Sequence, residues 1–397
     1  MNALYTGLTW DHPRGKEALL EAARLVNASR ERPLIRWRTQ PLEGFESAPI
    51  AALAAENDLL VLDHPHLGEA VAEDCLVPLE SLYPEARLAR WGEECIGPAL
   101  ESYRFDGRTW ALPLDVAAQV MVRRPDLVGE APRDRDALER LAAERPVALS
   151  LGGPHALLTL LSFARESGAV PNGAHFLPDE PMAGALETMH RLYRTRPPGS
   201  EALNPIGLLE SMARSGEIAL VPYVFGYVTY ASAGAGREPL AFSDTLGRSG
   251  VLGGTGIGFS RRADPSEALL EHVGSLLSVE RQCGLIPAHG GQPSFRRAWE
   301  DDSVNGVANG FYRDTARTVE NALLRPRFDG YIAFQSEASK RLREALAGGE
   351  GTSETIAALR ELWGRARAEA RGALDDERSA RPATSRRGTD PTRDEKP

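Results

Sequence analysis

Two short loops carry the side chains best suited to chemistry, DHPRG at residues 11–15 and DHPH at residues 63–66. Aspartate and histidine are common metal ligands, so convergence of His12, Asp63, His64 and His66 would build the site of a metal-dependent enzyme. The same side chains can instead bond a bound solute, or bond local backbone in turns stiffened by proline. Arg14 adds a planar fork that suits a carboxylate. His155 follows Gly152, Gly153 and Pro154 at a helix start, where free N–H groups favour an anion or a ligand oxygen, and it reads equally as an ordinary helix-start residue. Trp10, Trp110, Tyr223 and Tyr227 stand at strand ends, where an aromatic face can stack on the C–H face of a sugar. Trp37 and Trp299 read as core. No GxSxG elbow, GxxxxGK[ST] phosphate loop or HExxH helix is present. The run GGTGIG (253–258) loosely matches a dinucleotide loop, but no helix start follows it. It reads as a tight turn or a close backbone approach.

The elements that must position these residues alternate along the chain. LYTGLTW (4–10), PLIRWR (33–38) and LLVL (59–62) are strand-like, and helical stretches lie between them. Leu19, Ala22, Ala23 and Val26 recur at helical spacing in the first of these, and a second covers about 46–56. Such alternation points to βαβ units on a parallel sheet, whose ligands gather beyond the carboxyl ends of the strands. The loops at Asp11 and Asp63 both lie at such ends. Farther on, PVALSL (146–151) reads as a strand and 152–167 as a turn into a helix. Pro181 suits the first turn of a helix over 181–196. Asn204 caps the next helix, with Pro205 at its first position and Gly216 as its stop. EIALVPYVFGY (217–227) is a strand with a loop, and the chain is mainly helical from Pro265. From about Asp375 to Pro397 there is no aliphatic residue larger than alanine and no aromatic, which predicts a disordered tail.

At 397 residues the chain is long for one core, so two domains are expected. Its net charge of -10 disfavours nucleic acid as a partner. Cys75, Cys95 and Cys283 are too scattered for a disulfide framework or a CxxC metal pair; spacing leaves open whether Cys75 and Cys95 join. No apolar run approaches the roughly 20 residues that cross a bilayer. Met1-Asn2-Ala3 runs straight into the first strand, with no secretory signal visible.

Several segments, in order, resemble the extracellular solute-binding proteins of ABC importers, in the group that includes maltose-type sugar binders. They are GLTW (7–10), DLLVLDHPHLGEAVAEDCLVPLESL (58–82), YRFDGRTWALPLDVAAQVMVRRPDL (103–127), ESMARSGEIALVPYVFGY (210–227), LGGTGIGFS (252–260) and GLIPAHGGQPSFRRAW (284–299). The likeness runs from about residue 4 to 365. The loop DHPRG is not a typical maltose-binder pattern. The resemblance implies an α/β, two-lobed periplasmic-binding-protein-like fold of type II, each lobe a mostly parallel sheet flanked by helices. Lobe one would be 1–112 and 260–310, and lobe two 113–259 and 311–365. A three-segment hinge would cross near 110–118, 255–262 and 308–314. The implied function is capture of a small polar solute, a sugar or sugar-like molecule, without catalysis or cofactor, and its delivery to ABC permease subunits. The implied protein is a monomer in the periplasm or cell envelope. A cytoplasmic ligand-sensing homologue of the same fold is the other reading. Carried onto this chain, the ligand contacts are Trp10, Asp11, His12, Arg14, Asp63, His64, Asp115, His155, Tyr223, Tyr227, Gly254, Thr255 and Gln292.

Overall fold

The structure, a computed structural model, describes residues 4–173 and 175–380. Its strands are β1 (Tyr5–Trp10), β2 (Ile35–Gln40), β3 (Leu59–Leu62), β4 (Arg104–Phe105), β5 (Arg108–Thr109), β6 (Leu112–Arg123), β7 (Leu220–Phe225), β8 (Ala241–Ser243) and β9 (Leu252–Phe259). β1 lies between β2 and β3, parallel to both, as the βαβ pattern predicts. The sheet continues from β3 to β9 and β6, and β6 then pairs with β7 and β8.

Those later pairings are all antiparallel, so the expectation of mostly parallel sheets is corrected. The reason is the two long strands. β6 and β9 run in opposite directions past each other, and β7 and β8 join the sheet through β6, while β4 and β5 pair only with each other. PVALSL forms no full strand; Val147 makes a single parallel bridge to Leu220. The glycine run 253–258 is strand β9, not a strand-to-helix turn, which removes the dinucleotide-loop reading. Its glycines do serve close approach. A Cβ on Gly253 would lie 2.5 Å from the Phe225 ring, and one on Gly254, at φ +118°, 2.3 Å from the Asp115 carbonyl oxygen.

The helices follow their local signals. Pro13–Ala28 buries Leu19, Ala22 and Ala23, three of the four residues of its apolar stripe, against the sheet. Asn204 accepts a hydrogen bond from the Gly207 N–H to open Pro205–Ser215, and Gly216 closes that helix at φ 69°. The helix expected over 46–56 is instead two, Leu42–Ser47 and Ile50–Glu56. Pro49 excludes helical backbone at Ala48, which sits extended at ψ 141°. The helix Thr352–Ala380 carries residues 375–380 of the expected disordered tail; the rest of that tail lies outside the described residues.

Side-chain alternation along β3 divides the core. Leu59 and Val61 join the cluster built on the Pro13–Ala28 helix, while Leu60 and Leu62 join Leu8, Ile50 and Leu67 on the opposite face. A separate cluster gathers Leu157, Leu161, Phe163, Met182, Tyr223, Phe334 and Trp363. Cys75, Cys95 and Cys283 are all free thiols, so the first two do not pair.

Candidate functional site

At the carboxyl end of β1 the chain turns through Asp11 and His12 into a helix. The His12 imidazole accepts the Arg14 N–H at 3.2 Å as the helix cap. The Trp10 indole lies over Gly15, where a Cβ would come within 2.2 Å of its Nε1. Only glycine leaves room for the ring. Arg14 then points inward. Its Nε donates to Asp115 Oδ2 at 3.0 Å, its Nη2 pairs with Asp115 Oδ1, and its Nη1 donates to the Gly226 carbonyl at 3.2 Å. Its guanidinium sits 4.9 Å from the Tyr227 ring centre and 5.9 Å from that of Trp10.

Gln292 completes this junction. Its backbone N–H donates to Asp115 Oδ2, its side-chain amide donates to the Val116 carbonyl, and its Oε1 accepts the Val228 N–H at 3.0 Å. Four stretches of chain distant in sequence therefore meet on one buried carboxylate and one buried amide. Around them the Trp10 and His12 rings stack at 5.1 Å, Phe45 lies 5.8 Å from Trp10, and Tyr227 meets His12 edge-on at 5.1 Å. Across Phe45, Glu46 Oε1 approaches His155 Nε2 at 3.3 Å, and the His155 ring stands edge-on to Phe225 at 5.8 Å.

A second junction forms at the end of β3. Asp63 accepts the His64 N–H at 2.8 Å and pairs with the guanidinium of Arg325. The Arg325 N–H donates to His64 Nε2 at 3.3 Å, and its Nη1 lies 3.4 Å from Gln335 Oε1. This ties the β3 loop to the segment leading into the Tyr331–Gly348 helix.

Burial, aided by the Arg14, Lys16 and Arg237 cations, lowers His12 to about 4. Burial and Arg325 lower His64 to about 4, and burial lowers His66. All three imidazoles are therefore neutral at pH 7, able to donate from one nitrogen and accept at the other. Burial acts against the Asp63 charge, but Arg325 and the His64 contacts outweigh it and hold the carboxyl below the usual range. Burial pushes the Tyr227 phenol up, so it stays protonated.

The structure thus brings together Trp10, His12, Arg14, Asp115, Tyr227 and Gln292, with His155 joined through Phe45 and Glu46. Thr255 stands opposite Asp115 on β9, and Gly254 backs it. Asp63 and His64 belong to the Arg325 junction. Asp11 is exposed on the rim, paired with Lys16 at 2.6 Å. Tyr223 is not brought to the junction: it is fully buried with Phe163 at 4.7 Å, its hydroxyl 2.5 Å from Glu166. Among the described residues no three His, Cys, Asp or Glu side chains form a group that could hold a metal ion, so His12, Asp63, His64 and His66 do not make one. Sequence reasoning missed Phe45, Glu46, Gly226 and Arg325. Glu46 and Phe45 lie in a short polar helix with no motif, and nothing local marks Arg325.

No protein-family model matches the chain, and no curated protein matches it in sequence. Solved structures do. A maltose-bound MalE3 of T. maritima superposes with a TM-score of 0.75 at 18% identity, covering 90% of this chain and 98% of that one. An ABC transporter solute-binding protein of Agrobacterium radiobacter K84, in complex with ribitol, gives 0.76 at 18% identity over 91% and 98%. The GacH receptor of Streptomyces glaucescens GLA.O gives 0.76 at 15% identity over 92% and 98%. The chain has the fold of these solute-binding structures, a mixed α/β fold of sheets flanked by helices.

Proposed function

We propose that this protein is the solute-binding component of an ABC-type importer, taking a small polar solute, a sugar or polyol, and carrying it to a membrane permease. The observation that carries the reading is the junction at Arg14. An arginine at the end of β1 reaches Asp115 on the long strand β6 and the backbone of Gly226 beyond β7, inside a ring of aromatic side chains. The solved structures of like fold were determined with maltose or ribitol bound, or both without ligand and with acarbose, which supports the same solute class here.

In this reading residues 1–112 with 260–310 form one lobe and 113–259 with 311–365 the other. The chain passes between them near 110–118, 255–262 and 308–314, and the lobes shut on the solute by hinge motion. Closure follows from differential affinity, because the solute touches both lobes only when they meet. Trp10, His12, Tyr227 and His155 would contact it, with Arg14 and Asp115 as the polar floor. A place outside the cytoplasmic membrane and a monomeric state follow from the same reading.

The test is a thermal-shift screen of sugars, polyols and sugar acids, followed by small-angle scattering with each hit. A true solute raises the melting temperature by mass action and shrinks the radius of gyration. A particle that no such solute stabilises or contracts would refute the proposal.

A further inference from the structure

The side of the junction formed by His155 has an occupant from the chain itself. His155 begins the eleven-residue helix His155–Arg165 and is 1% exposed, yet neither ring nitrogen makes a hydrogen bond. The Glu46 carboxylate faces it, 3.3 Å from Nε2 but off the hydrogen-bond line. Glu46 is itself poorly anchored. It lies on the six-residue helix Leu42–Ser47, bounded by Pro41 and the extended Ala48, and no lysine or arginine among the described residues pairs with it. Buried imidazole nitrogens without partners cost free energy, and such groups in a native site ask what would satisfy them.

The charged groups nearby are already committed to one another. Asp115 is committed to Arg14, and Asp63 to Arg325. The neighbouring cations are matched as well: Lys16 pairs with Asp11 at 2.6 Å and Arg237 with Glu210 at 3.5 Å. The remaining carboxylate of the junction, Glu46, is the one without a cation. An imidazole with both nitrogens unpartnered has hydrogen-bonding capacity for a guest that presents a carboxylate oxygen beside a hydroxyl.

Resting on the solute-capture reading above, we propose that the solute is an acidic sugar or polyhydroxy acid, whose carboxylate takes the place of Glu46 against His155. Phe45 and Glu46 then leave the junction together, since they are neighbours on one short helix. Phe45 uncovers the Trp10 ring for the sugar face, and Glu46 moves toward solvent.

The experiment is a set of matched pairs titrated by calorimetry into the full chain: D-glucuronate against D-glucose, D-galacturonate against D-galactose, D-gluconate against D-glucitol. The acid of at least one pair is expected to bind at least tenfold more tightly than its neutral partner. His155→Gln should weaken the acid at least tenfold while changing the neutral partner less than threefold, and Glu46→Gln should tighten the acid by removing its competitor. Neutral members binding as tightly as the acids, or His155→Gln weakening both alike, overturns the carboxylate assignment and leaves solute capture standing. A protein that binds no member of any pair, with no change in scattering radius, overturns both. Because the pairs are compared first on the unaltered chain, a variant that fails to fold does not spare the proposal.

Discussion

Replacing Asp115 by alanine leaves the Arg14 guanidinium where it is and removes what neutralises it. The two side chains are each 4% exposed, and the carboxylate accepts from Arg14 Nε and Nη2 and from the Gln292 backbone. Deleting one partner of such a pair costs about 3–5 kcal/mol, because the other charge stays buried and uncompensated. Loss of the Gln292 hydrogen bond adds about 1 kcal/mol. Replacing both residues with apolar ones of similar volume, Arg14→Met with Asp115→Leu, removes the stranded charge, and such exchanges are often neutral or stabilising by about 1–4 kcal/mol. Urea unfolding followed by tryptophan fluorescence reads both, and the Arg14 guanidinium carbon lies 5.9 Å from the Trp10 ring centre. The single variant should lose roughly 4–6 kcal/mol and the double variant should regain most of it. A single-variant loss of about 1 kcal/mol or less, in the range of an exposed pair, would mean that Arg14 swings freely to water and that the junction is not closed.

Three further outcomes follow from the same geometry. Gly15→Ala drives a Cβ to within 2.2 Å of Trp10 Nε1, so it should cost about 1–3 kcal/mol and alter the emission spectrum; unchanged emission and stability would show that the indole does not lie there. His12 and His64 are held near 4 in the folded chain, so between about pH 4 and the ordinary histidine value of 6.5 the unfolded chain binds protons that the folded chain refuses. Stability should therefore rise with pH across that window, and His64→Gln should flatten the slope by about one proton; an unaltered slope argues against a neutral buried His64. Cys75 and Cys95 are buried, with thiols raised by burial to about 11 and about 12, whereas Cys283 is only partly buried and is also raised. A thiol reagent at pH 8 should label one cysteine in the folded chain well before the other two, and all three after unfolding; two fast thiols would contradict the burial.

The sequence makes the elements legible wherever a local pattern decides them. β1, β2 and β3, the capped helix at Asn204 and the stop at Gly216 stand within a few residues of where periodicity and turn chemistry put them. It misleads where a local pattern meets a non-local partner. The apolar run 146–151 has strand composition but meets β7 at a single bridge, Val147 to Leu220, and composition does not say how far such a contact extends. The alternation of strands and helices suggests a parallel sheet and says nothing of β6 and β9, whose opposed courses span the molecule. In the site, Trp10, His12 and Arg14 were accessible to reasoning from strand ends and residue type, whereas Asp115, inside β6, and Gln292 came only through the resemblance. Tyr223 obeyed the same rule and yet faces the core, since successive strand residues point to opposite faces and the sequence does not say which face is covered. Arg325 and Glu46 were illegible because each matters only through a partner, 262 residues away for Arg325 with Asp63.

Burial of Trp10 and Tyr227 alone, at roughly 1.5–3 kcal/mol for each large side chain, would hold these segments together without any charge. An entirely apolar seam resembles a core, and cores resist parting. The Arg14–Asp115 pair behaves differently: its attraction is offset by lost hydration, so it adds little net stability when shut. What it adds is register, since a planar fork bonds two carboxylate oxygens and a carbonyl in one arrangement only. In the proposed opening, both groups would recover water, which lowers its cost. Proteins that must close on a guest and later release it need a seam of this kind, specific in geometry and weak in free energy. The same reasoning explains why Glu46 can serve as a stand-in for a guest. A carboxylate with no cation of its own, facing an imidazole with no hydrogen bond, is held loosely enough to be exchanged for a better one.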